Sequence, residues 1–210
     1  STRADGRPAP FLPDDVVDLD VAYEGDLTLD VGGLQLGLHP ARGETDDHTW
    51  TWIPRLKAVA VGDFVAWVFP NAGNPQKVQR YPVEWAAALR RMLALEPELL
   101  LPAHGLAVAG RERVATVLGD LATALEHLVA DVVAAMNGGA TLDEIVHAVR
   151  VDPDLLARPW LRPIYDEPEF VVRNVWRLFG GWWDGDPARL KPPPAQALSV
   201  ELADLAGGPA

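Results

Sequence analysis

The sequence predicts an α/β region over residues 1–108 followed by an all-α region over 109–210. Three observations carry this. Short apolar runs separated by Gly, Asp and Pro fill the first half, several of them alternating with polar residues. The run VAV before Gly62 is continuously apolar, as in a strand buried on both faces. Beyond residue 108 the strand signals stop, and apolar residues recur at helical spacing between capping signals.

Taken in order, residues 16–38 read as strands. LTLDV (27–31) and LQLGLH (34–39) alternate on either side of Gly32-Gly33, a plausible hairpin. TWTWI (49–53) is a further strand, and LKAVAVGDFVAWVF (56–69) holds one or two more around Gly62-Asp63. NAGNPQKVQRYP (71–82) is a long polar loop. VEWAAALRRMLALE (83–96) is helical, with Trp85, Leu89, Met92 and Leu93 on its apolar face and a proline just beyond. ELLLPAHG (98–105) is a short buried strand that ends on the loop carrying His104.

A long helix then runs from residue 110 to Asn137-Gly138-Gly139, whose glycines suit a C-terminal cap. Thr141 and Glu144 have the spacing of a capping box for the helix TLDEIVHAV. A proline-broken segment leads to the helix PEFVVRNVWRLF (168–179), the aromatic turn GGWWDGDP (180–187), and a last short helix from about Ser199. No internal repeat is visible.

The bulk numbers restrict the function. The 210 residues are 49% hydrophobic and 23% charged, enough for a sizeable core. A net charge of −12 argues against a nucleic-acid partner, because no basic surface is available to neutralise phosphates. With no cysteine, a metal would have to sit on histidine and carboxylate ligands. No apolar run approaches the ~18 residues of a membrane span, so no membrane partner is expected and the localisation reads as cytoplasmic. The chain starts at Ser1 without a methionine, which fits an internal cut or simple methionine removal.

The chemistry gathers on strand ends. Glu44 lies on the turn GETDDH after the 34–39 strand, Asp63 follows a buried strand and a glycine, and His104 closes the 98–103 strand before another glycine. Loops at strand ends are where rigid scaffolds hold ligands, and one open coordination position would leave room for water. His39 and His48 flank Glu44 and are candidates for supporting it. His127 and His147 read as ordinary residues of the helical region. Trp160, Trp176, Trp182 and Trp183 fall in the helical part, where aromatics fill a core or anchor a subunit interface.

In this order the motifs resemble the C-terminal half of a metallo-β-lactamase-fold hydrolase, and more narrowly the alkyl sulfatases. GETDDHTW supplies glutamate where most of the superfamily has histidine, and Glu44, Asp63 and His104 match the metal ligands after three successive strands. Asp63 stands at the bridging position, where the alkyl sulfatases commonly have glutamate. The loop and helix NAGNPQKVQRYPVEWAAALRRM and the stretch YDEPEFVVRNVWRLFGGWWDGDPARL extend the resemblance over roughly residues 34–208. It implies half of an αββα sandwich over 1–108 and an incomplete helical dimerisation domain over 109–210.

The superfamily signature H-x-H-x-D-H occurs nowhere in the chain. The resemblance therefore implies an N-terminal half as partner, possibly a separate chain, that brings four more ligands. Two zinc ions would then be shared between the halves and bridged by Asp63, which would serve the reaction on a small-molecule sulfate ester. It further implies a homodimer through the helical domain. Arg80, in the loop beside the site, is the candidate catalytic contact to the sulfate. Two other readings remain open: the same fold acting on a lactone, thioester or phosphate ester, and a non-catalytic dimerisation module.

Overall fold

The computed structural model describes residues 19–208. Six strands form one mixed sheet in chain order. β1 (Leu27–Val31), β2 (Leu34–Pro40), β3 (Thr49–Ile53) and β4 (Ala58–Gly62) make an antiparallel meander, with Leu29 opposite Leu36 and His39 opposite Trp50. β5 (Leu99–Pro102) adds to β4 in parallel, and the two-residue β6 (Val108–Ala109) returns antiparallel to β5. Parallel neighbours need a crossover. Here it contains α1 (Pro82–Ala94), which has proline in its first turn and buries Trp85, Leu89 and Met92.

The all-α part begins with α2 (Arg111–Asn137), which packs along α1 and buries an apolar stripe from Val114 to Val132. Each fully buried Leu or Val side chain contributes about 1.5–3 kcal/mol. α3 (Leu142–Ala148) opens on the expected capping box, in which the Thr141 hydroxyl accepts from the Glu144 amide and the Glu144 carboxylate accepts from the Thr141 amide. The one-turn α4 (Pro153–Leu156) interrupts the proline-broken segment. α5 (Pro168–Gly180) buries Val171, Val172, Asn174 and Val175, and α6 (Ala195–Leu205) buries nothing within this chain.

One hydrophobic core runs from Trp50 in β3 through α1 and α2 to Val175 in α5. The boundary read from the sequence falls inside β6, and the core passes straight across it. Several expectations are adjusted. Of the strand text from residue 16, positions 16–18 lie outside the described residues, and the first strand starts only at Leu27. Residues 56–69 hold a single strand, because Phe64, Val65 and Phe69 enter the core from turns instead of extending β4. The last helix starts at Ala195, directly after the proline run, four residues before Ser199.

Candidate active site

Asp63 leaves the end of β4 beside an irregularity in the β4–β5 register between Ala60 and Gly62, the kind of bulge that re-aims a side chain. His104 leaves the end of β5 two residues past Pro102, and Glu44 sits in the turn after β2. All three line one cavity of about 440 Å³, together with Ala66, Val68, Asn71 and Tyr165.

Glycine–aromatic contacts fix the three loops to one another. The His48 ring stacks on Phe64 with centroids 4.1 Å apart. A Cβ at Gly43 would sit 2.7 Å from Phe64 Cε1, and one at Gly62 would sit 2.6 Å from His48 Nε2. Glycine therefore lets the Glu44 turn close onto the Asp63 turn. Gly62 also has φ +54, which favours a residue without a Cβ. On the other side, Trp67 adopts φ +51, lays its indole against Gly105, and donates from Nε1 to the Leu106 carbonyl at 2.8 Å. A Cβ on Gly105 would collide with that indole. Trp67 so ties the strand end carrying Asp63 to the loop carrying His104.

His104 Nε2 lies 3.2 Å from Asp63 Oδ1, off the direction of a hydrogen bond, and that buried oxygen has no hydrogen-bond partner. The imidazole itself is open, with its side chain 73% exposed. Glu44 faces the other way for its charge: Arg80 Nη1 is 2.6 Å from Glu44 Oε1, and Asn71 Nδ2 donates to the same oxygen at 3.2 Å. Arg80 is 3% exposed, so it is a buried arginine behind Glu44 and does not line the cavity. Burial lowers its pKa, opposed by the charge of Asp166. Asp166, 1% exposed, is pushed up by burial and drawn down by Arg80. Arg80 is thus paired with Glu44, while Asp166 bears on it only as a nearby buried charge.

Two carboxylates and an imidazole are a suitable donor set for a zinc-type ion, and the orphaned Asp63 oxygen is an open acceptor for one. Among the described residues, however, no group of three His, Asp or Glu side chains converges closely enough to hold an ion unaided. His48 supports the site by packing, and burial lowers its pKa, with Asp63 and Asp47 opposing. His39 instead stacks on Trp50 and lies 3.0 Å from Asp26. His127 and His147 are exposed on α2 and α3. Sequence reading missed Asn71, Tyr165, Asp166 and Trp67. The polar loop after Pro70 held the signal for Asn71, and nothing in the sequence marked Asp166 as buried.

The mixed sheet with helices appended is a fold this chain shares with solved alkylsulfatases. In sequence the chain is similar to alkyl sulfatases. Residues 141–210 match the alkyl sulfatase dimerisation family. A linear primary-alkylsulfatase of a Pseudomonas strain is 29% identical over 189 residues, covering 89% of this chain and 36% of that protein. An (R)-specific secondary-alkylsulfatase of Pseudomonas is 30% identical over 184 residues, covering 85% and 28%. The solved structure of the stereoselective inverting sec-alkylsulfatase Pisa1 from Pseudomonas superposes with a TM-score of 0.80 at 24% identity, over 90% of this chain and 31% of that one. The chain thus spans about a third of the length of the curated relatives it matches. It is thus similar to part of an alkyl sulfatase, including the dimerisation region.

Proposed function

We propose that this chain carries the C-terminal share of a zinc-dependent sulfate-ester hydrolase. The observation that carries the reading is the meeting of Glu44, Asp63 and His104 at one cavity, on a chain whose relatives are alkylsulfatases. Glu44, Asp63 and His104 would be this chain's ligands to a two-zinc site, and an N-terminal half bearing H-x-H-x-D-H would supply the remaining ligands. The bound ions would acidify a water to near-neutral pKa and so supply the nucleophile.

The chain's own residues have separable tasks in this account. Arg80 from the buried side and Asn71 from the cavity wall hold the Glu44 carboxylate, so that it keeps one orientation. With Arg80 buried, its part in handling the sulfate would pass through Glu44 and not through direct contact. The apolar walls Ala66 and Val68 limit water and suit an aliphatic chain. Residues 141–210, matched to a dimerisation family, support a homodimer, and the unburied α6 and exposed Trp182 belong to that region.

The test is sulfate release from primary and secondary alkyl sulfates by the assembled protein, beside a panel of lactones, thioesters and phosphate esters. The reading requires alkyl sulfates to be the preferred class and His104→Ala to lower turnover at least a hundredfold. Preference for another ester would keep the fold and replace the substrate.

A further inference from the structure

A second cleft lies on the far side of the loop that holds Asn71. It has a volume of about 160 Å³ and is lined by Gly73, Asn74, Pro75, Phe170, Arg173, Asn174 and Arg177. No carboxylate takes part in that lining, although the chain carries a net charge of −12.

The two arginines stand one turn apart on α5, and among the described residues neither makes an ion pair. Arg177 is nevertheless held in place. Its Nε donates to Gln79 Oε1 at 3.0 Å, and Nη2 lies 3.5 Å from Asn174 Oδ1. Both acceptors are neutral amides, so they orient the guanidinium without cancelling its charge. They are fixed in turn. The buried Asn174 donates to the Ala72 and Arg80 carbonyls at 2.8 and 2.9 Å, and Gln79 Nε2 donates to Asn174 Oδ1 at 3.0 Å. Arg173 makes no side-chain hydrogen bond among the described residues. At Gly73 the loop comes so close to α5 that a Cβ would overlap the Phe170 backbone.

A guanidinium oriented by neutral acceptors, a second one free beside it and a small concave wall are the components of anion recognition. We propose that this cleft binds a small tetrahedral oxyanion, such as sulfate, a sulfate-ester headgroup or phosphate, in a fork of Arg173 and Arg177. The cleft is too small for a large organic ligand. The proposal is independent of the zinc reading, because none of these residues lines the cavity at Asp63. An occupied fork would clamp α5 to the loop of residues 71–80, whose other side bears Asn71 and Arg80 against Glu44.

Isothermal titration of the protein with sodium sulfate, sodium phosphate and methyl sulfate at fixed ionic strength tests this, with chloride as reference. Saturable binding is expected, weakened at least tenfold in Arg173→Gln and in Arg177→Gln, partly restored in Arg177→Lys, and unchanged in Arg55→Gln. Arg173→Gln removes no internal contact, so it reports on the site even if Arg177→Gln unfolds. Sulfate binding more tightly than methyl sulfate would mark a site for the free anion, and the reverse order a site for the ester headgroup. Absence of saturable binding, equal response to chloride, or binding that survives both glutamine variants would overturn the proposal.

Discussion

Replacing Arg80 would leave the Glu44 carboxylate without its cation and take a compensating charge from the surroundings of buried Asp166. Removing one partner of a buried ionic cluster typically costs about 3–5 kcal/mol, because the remaining charge stays desolvated. Arg80→Met is therefore expected to destabilise the fold by that order in urea unfolding, and Arg80→Met with Asp166→Asn by clearly less. Equal losses for the single and double variants would show that Asp166 does not share Arg80. Gly105→Ala is a second test at this scale. The residue has φ +95 and its Cβ would strike Trp67, so about 2 kcal/mol or more should be lost. Trp67→Phe, which keeps a ring but removes the Nε1–H donor, should cost nearer 1 kcal/mol. That Glu44, Asp63 and His104 lie at strand ends could be read from the sequence, because each follows an apolar run and stands beside a glycine, and the three line one cavity. Asp166 and Tyr165 could not. Their placement depends on the proline-broken segment folding back toward Arg80, 86 residues earlier in the chain, which no local pattern encodes.

The elements were legible where a single periodicity ruled. α1, α5 and the β1–β2 hairpin follow their apolar spacing, and α3 follows its capping box. Residues 63–69 were not, since apolar side chains there reach the core from turns, and a run of hydrophobics has the same look in either geometry. β6 is too short to carry a pattern. The α1–α2 junction is held by a two-pronged pair: Arg90 Nε donates to Glu126 Oε1 at 3.0 Å and Nη2 to Oε2 at 2.6 Å. The hydrogen bond from Arg90 holds Glu126 below its ordinary 4.5. As pH falls the unfolded carboxylate protonates first, so this stabilisation is complete above about pH 4.5 and fades as pH drops through the depressed value. For a pair this exposed, Arg90→Ala should cost roughly 0.2–1 kcal/mol at pH 7. The cost should shrink as pH falls below 4.5, and a loss that does not change on acidification would assign it to packing.

At the scale of the whole molecule, a sheet that ends at the short β6 and a continuous core from Trp50 to Val175 give the three proposed ligands a rigid floor. Among the described residues no helix is long and apolar enough to cross a membrane. The sequence made the α/β-then-α order plain, because the period of its apolar residues changes near 108. It did not make plain that α2 closes the core of the first part, because a helix packed on a neighbouring layer has the same apolar stripe as one packed in its own bundle. The central claim is that Glu44, Asp63 and His104 are the share of a two-zinc site borne by this chain. Native mass spectrometry of the assembled protein, reading polypeptide composition and metal count together, tests it most directly. The account predicts two zinc ions per complete site, with at least one lost in Asp63→Asn and in His104→Ala while the assembly stays intact. An assembly without metal, or one whose zinc count is the same in both variants, would contradict it.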